Sequence, residues 1–156
     1  MNESESRESK LIQRLSEKFA DDDTTAWDEL DFLYAKGSAL AALWYSRLFW
    51  PEFVEIDGMV FLTRSMSSAD DRARLADAVK TYGRDRRAIE QGFNSVEAAW
   101  LFDTLDLDDG EYLWLLERLV EMWRCRLHAL YPRRRFEVVL QDADDWNDVR
   151  ITFHQA

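Results

Sequence analysis

Cysteine, histidine, proline and glycine are all scarce in this sequence, and each scarcity closes off a class of chemistry. The one cysteine, Cys125, has no internal partner, so no disulfide framework holds the fold. Its place in an apolar helical pattern predicts a buried thiol in a reducing compartment. The two histidines, His128 and His154, belong to no H-E-x-x-H run, and no C-x-x-C exists, so no metal site is expected. Five glycines form neither G-x-G-x-x-G nor G-x-x-x-x-G-K-[ST], which removes the familiar phosphate-cradling loops. No cofactor is expected. Apolar runs fall short of the roughly 18 residues of a membrane span. Met1 to Lys10 is polar and lacks the apolar core of a secretory signal. A cytoplasmic protein is the expectation.

Positive charge is also in the minority. Lysine and arginine number 20 against 31 acidic residues, a net charge of −11. Such a field repels nucleic-acid phosphates and anionic lipid at long range, and it favours solubility and basic partners.

What the chain does have is apolar mass. Hydrophobic residues make up 47% and aromatics 13%, including seven Trp and nine Phe, far from a disordered composition. With 156 residues, one domain with a real core is expected. Residues 1–9 read as a solvated tail, and 10–156 as the domain.

Leu11, Ile12, Leu15 and Phe19 share the face of a short helix, broken by Asp21–Asp23. Thr24 or Thr25 then caps a helix in which Leu30, Leu33, Tyr34, Gly37, Leu40, Ala41, Trp44 and Leu48 follow the i, i+3, i+4, i+7 rule. That stripe predicts a core face. Gly37 on it marks either a break or a close approach of another backbone. Pro51 ends the segment. Asp57-Gly58 between two apolar runs predicts a type I′ hairpin, with Val54, Ile56, Met59 and Phe61 on one face. Ser68 caps a helix from Ala69 to Tyr82, with Asp71 in its first turn, and Gly83 closes it. A short helical pattern covers Arg84–Gln91. Asn94 with Glu97 predicts another helix, through Leu105, and Asp108 with Glu111 the apolar helix to Tyr131, stopped by Pro132. Phe136–Gln141 and Val149–His154 alternate as a second hairpin. The expected fold class is α+β: a helix-rich single domain with a small antiparallel sheet built from two hairpins, at about 53–63 and 136–154.

Few residues are candidates for chemistry. Asp142, Asp144 and Asp148 take calcium-loop positions 1, 3 and 7, but Trp146, Asn147 and Phe153 stand where that loop needs an oxygen ligand, Gly and Glu. A solvated hairpin loop is the simpler reading. Cys125 and His128 are three apart on a helix, without a third group to orient them. Arg84, Arg86 and Arg87, and Arg133, Arg134 and Arg135, are basic clusters that can hold an anion or neutralise nearby carboxylates; the second use is the commoner.

The aromatic load is the most distinctive feature. Tyr45, Phe49 and Trp50 fit poorly on the stripe that holds Trp44, and Trp146 sits among aspartates in the loop 142–148. Exposed aromatics anchor interfaces. The expected partner-binding residues are therefore Tyr45, Phe49, Trp50, Asp142, Asp144, Asp145, Trp146 and Asp148. They imply an acidic protein-binding domain without catalytic activity. It matches immunity or inhibitor proteins in size and charge, and it would recognise a basic protein. Two alternatives stay open. One is an enzyme assembled from scattered residues of the 111–131 helix (Glu117, Glu121, Cys125, His128). The other is an oligomeric structural or regulatory protein with an aromatic homo-oligomer interface.

Overall fold

The computed structural model describes residues 3–19, 29–83, 85–99, 101–102, 107–141 and 148–156. The chain divides into two compact units, Met1–Trp44 and Tyr45–Ala156.

The first unit is helical. Helix α1 spans Glu3–Phe19, so the stretch expected as a tail is helical from Glu3. Ser and Glu open it and no breaker follows before Phe19, while residues 8–10 are exposed as a solvated segment should be. Leu11 is buried and Ile12 exposed. Residues 20–28, including Thr24 and Thr25, lie outside the described residues. Helix α2 spans Glu29–Lys36 and helix α3 spans Ala39–Phe49, so the long helix of the sequence reading is two helices. The break is at Gly37-Ser38. Gly37 donates its N–H to Leu33 O, and a Cβ built on it would stand 2.3 Å from that oxygen. Only glycine fits there without a shift. Ser38 then caps α3, its Oγ accepting from Ala41 N. Gly37 therefore marks a break, and the backbone close to it is that of its own α2.

The second unit is the α+β body, in the class expected from the sequence. Strands β1 (Phe53–Ile56) and β2 (Met59–Leu62) form the Asp57-Gly58 hairpin, with φ of 51° and 78° at the turn. A short 3₁₀ turn, Thr63–Met66, leads to α4 (Ala69–Tyr82). Ser68 caps α4 as expected, and the Asp71 side chain accepts its backbone N–H in return, completing a capping box; Gly83 closes the helix at φ 62°. Helix α5 spans Arg86–Phe93, capped by Asp85. Strand β3 is the pair Val96–Glu97; α6 spans Asp109–Leu130 with the expected Asp108–Glu111 capping box; β4 (Phe136–Gln141) and β5 (Arg150–Gln155) are the second hairpin.

Two expectations change here. Asn94 does not start a helix. It ends α5, its side chain is taken up by strand backbones, and Val96–Glu97 pairs with β5 at Ile151 and Arg150. Nor is there one sheet. The hairpins belong to separate sheets, β1-β2 and β3-β5-β4.

Strand β2 lies between two cores. Val60 and Leu62 enter the larger one, with Trp123, Leu116, Leu119, Leu127, Ile151 and Phe153. Met59 and Phe61 enter the smaller, with Met66, Leu75 and Ile89, and Val54 and Ile56 pack there on the face the alternation predicted. Each fully buried side chain of this size contributes roughly 1.5–3 kcal/mol. Trp123 also donates Nε1–H to Leu48 O at 2.7 Å, tying the end of α3 to α6.

Side chains join the two sheets. Strand β3 is too short to cover β5 beyond Ile151, so Phe153 and Gln155 present main-chain groups on that edge, as Val60 and Leu62 do on the outer edge of β2. Helix α5 supplies Glu90 and Asn94, four apart and so on one face. Glu90 Oε1 accepts Val60 N–H at 2.8 Å and Oε2 accepts Gln155 N–H at 2.7 Å. Asn94 Oδ1 accepts Leu62 N–H at 3.0 Å, while its Nδ2 donates to Val60 O at 2.8 Å and to Phe153 O at 3.4 Å. Gln155 Nε2 donates to Glu90 Oε1 and to Gly58 O. Both α5 side chains are 0% exposed, and every bond answers the cost of burying an unpaired polar group.

Candidate functional site

Most of the stripe predicted as core on α2 and α3 is exposed: Leu30, Leu33, Tyr34, Leu40 and Trp44 lie at the surface, with Leu43, which was not on the stripe, beside them, while Leu48 packs against the larger core as expected. Leu30, Leu33 and Tyr34 are spaced i, i+3, i+4 on α2, and Leu40, Leu43 and Trp44 repeat that spacing on α3. All six are between 59% and 83% exposed. A soluble chain scatters single exposed apolar residues as a matter of course, but two consecutive helices with the same exposed triad are a patch. The placement of Trp44 in a core stripe is corrected accordingly. The periodicity picked out these residues but not their exposure, because an apolar pattern along a helix does not itself say whether the chain's own core covers it.

Tyr45, Phe49 and Trp50 belong to the second unit and divide between two roles. Tyr45 and Phe49 join an aromatic cluster with Phe102. Their rings lie 5.6 Å and 6.0 Å from its centroid, and Phe102 meets Tyr112 edge-on. Phe49 is half-buried there, while Tyr45 keeps an exposed side. Trp50 is 45% exposed, with the Arg126 guanidinium 5.1 Å from its ring centroid. Arg126 was missed in the sequence, since nothing in its spacing points to a residue 76 positions away. Asp148 is exposed. Asp142, Asp144, Asp145 and Trp146 lie outside the described residues, as does Arg84.

The residues of the enzymatic alternative do not converge. Helix α6 turns Tyr112, Leu116, Leu119, Val120, Trp123 and Leu127 into the core. Cys125, about 200° around the helix from both Trp123 and Leu127, is exposed rather than buried. His128 is exposed too. Glu117 and Glu121 line a shallow open groove of about 410 Å³ between α6 and β4, together with Arg118, Arg124 and residues 138–140; Cys125 and His128 are not part of it. Arg118 Nη1 pairs with Glu121 Oε2 at 2.9 Å. Among the described residues, no three His, Cys, Asp or Glu gather as a metal ion would require.

The remaining histidine, His154, is buried beside β4. Its Nε2 lies 3.1 Å from Glu137 Oε2 and its Nδ1 3.3 Å from Gln91 Nε2. This pair is a strand-to-strand contact inside the sheet, continued at the surface by Arg87. One arginine of each basic cluster is paired with a carboxylate. Arg134 bonds Glu55 at 2.7 Å, and that bond raises its pKa further above the ordinary guanidinium value; Arg87 pairs with Glu137 at 3.5 Å. Burial likewise pushes up the hydroxyls of Tyr112 and Tyr131, which are packing residues here.

No protein-family model matches the chain, and neither a curated protein nor a solved structure matches it. No helix among the described residues is long and apolar enough to cross a membrane.

Proposed function

We propose that this chain is a cytoplasmic protein-binding domain of the immunity or inhibitor type, acting without catalysis, which takes a basic protein against the apolar faces of α2 and α3. One observation carries the reading: the exposed triads Leu30, Leu33, Tyr34 and Leu40, Leu43, Trp44. Covering what is exposed of each side chain gains roughly 1 kcal/mol, enough in sum to matter for association. Trp and Tyr are the usual anchors of such surfaces. The net charge of −11 supplies the electrostatic half, since it speeds encounter with a positively charged partner and slows it with an acidic one.

The test compares the full chain with a triple variant, Leu40→Ser, Leu43→Ser and Trp44→Ser, as immobilised baits in cytoplasmic extract. The expected result is capture of a protein of net positive charge, weakened as salt is raised and absent for the triple variant. The amide spectrum of residues 45–156 should remain unchanged. Capture that ignores both salt and the triple variant refutes the proposal. So does light scattering that shows a stable dimer whose formation depends on these side chains, which would place a second copy where the partner should be.

A further inference from the structure

We propose that the outer edge of β4, with the groove beside it, is a binding site for an extended peptide strand bearing lysine or arginine. The site lies on other elements than the α2–α3 faces, so the two proposals stand or fall separately. Among the described residues, strand β4 is terminal in its sheet, with β5 on one side only. Its main chain alternates between the two edges. Ala156 N–H donates to Arg135 O in the same register, so odd-numbered residues face β5, and Phe136, Val138 and Leu140 face outward. Val138 O confirms the direction: it accepts Arg124 Nη2 at 2.9 Å, a side-chain donor standing where a neighbouring strand's N–H would be. A bare strand edge is a template for another strand, and proteins that do not use it blunt it with bulges, prolines or inward charges. Here six consecutive residues run without proline or bulge against β5.

The groove selects what can lie there. Val120, Val138 and Leu140 give it an apolar floor, and Glu117 and Glu121 stand on the α6 rim. Two arginines share the lining with them: Arg118 pairs with Glu121 and Arg124 donates to Val138 O, so the selection of a cation rests on Glu117. Glu117 is exposed, and the chain as a whole is strongly acidic. A strand that pairs with Val138 and Leu140 would turn alternate side chains toward this rim, where lysine or arginine finds carboxylate. A carbonyl oxygen has two lone pairs, so Val138 O can accept the strand's N–H and keep Arg124. Recognition would thus combine main-chain pairing with charge.

The experiment titrates the ¹⁵N-labelled full chain with the hexapeptide Lys-Val-Lys-Val-Lys-Val. Two controls accompany it: the same peptide methylated on alternate backbone nitrogens, and Glu-Val-Glu-Val-Glu-Val. Expected are amide shifts concentrated at 136–141 and 117–124, lost with either control. Affinity should weaken roughly two- to fivefold in Glu117→Gln, the range of an exposed ion pair. No such cluster of shifts, or equal binding of the methylated or acidic peptide, overturns the proposal. Concentration-dependent shifts at 136–141 without peptide also overturn it, because the edge would then pair with a second copy.

Discussion

Replacing Glu90 with alanine removes one carboxylate and strands two main-chain donors. Val60 N–H and Gln155 N–H both end on Glu90, on opposite oxygens, and Gln155 Nε2 makes a third bond. The site is fully buried, so water cannot take over without rearrangement. Each orphaned donor costs about 1–3 kcal/mol, and the space left by the side chain adds to this. Glu90→Ala should therefore lose about 4 kcal/mol, a large share of the roughly 5–15 kcal/mol that holds a domain together. At about 2–4 °C per kcal/mol, the melting midpoint should drop by about 8–16 °C. Glu90→Gln keeps one acceptor but turns an NH₂ toward one of the donors. It should fall between wild type and the alanine variant, at about 1–3 kcal/mol. Urea denaturation read by tryptophan fluorescence gives both values, and native-state hydrogen exchange shows whether the Val60 and Gln155 amides lose protection first. If Glu90→Ala costs less than about 1 kcal/mol, or those two amides keep the protection of their neighbours, the seam between the sheets is not what this argument makes it.

The same physics gives smaller effects elsewhere. Ser68→Ala should destabilise by about 1 kcal/mol through loss of the α4 cap, measured by thermal melting. Hydrogen bonds from Ser68 hold the Asp71 carboxyl below the ordinary carboxylate range. Its stabilisation is thus present above the unfolded-state pKa and fades as pH falls through the lower folded value. Asp71→Asn should be less stable than wild type near pH 7, and the difference should close in acid. Gly37→Ala drives a Cβ to 2.3 Å from Leu33 O and should reduce helix content by circular dichroism, costing about 1 kcal/mol or more. Trp50→Ala and Arg126→Ala, singly and together, should show a coupling of about 0.5–1 kcal/mol in a double-mutant cycle.

Local signals were legible and long-range ones were not. Asp57-Gly58, the Ser68 and Asp108 caps, Gly83 and the alternation of β4 and β5 each act within four or five residues, and each was realised. Asn94 misled because its capping pattern with Glu97 is local, whereas its real partners, Leu62, Val60 and Phe153, lie more than thirty residues away in either direction. Glu90 gave no signal at all; an acidic residue in a short polar helix reads as surface until β2 and β5 close around it. For the candidate site, Tyr45 and Trp50 are exposed as expected, but Phe49 is partly taken into the Phe102 cluster. Most of the larger apolar surface, Leu30, Leu33, Tyr34, Leu40 and Trp44, lay among residues assigned to the core.

The seam between the sheets also bears on how this fold can vary. A continuous β-ladder fixes its neighbours by backbone alone and is indifferent to most substitutions. Here the outer main-chain edge of one hairpin meets the rest of the body through side chains, Glu90, Asn94 and Gln155, instead of a ladder. Changing a single codon can loosen this contact, and a compensating codon can restore it. The position of the Asp57-Gly58 hairpin is therefore open to stepwise retuning in a way that a strand within a six-residue ladder, such as β4, is not.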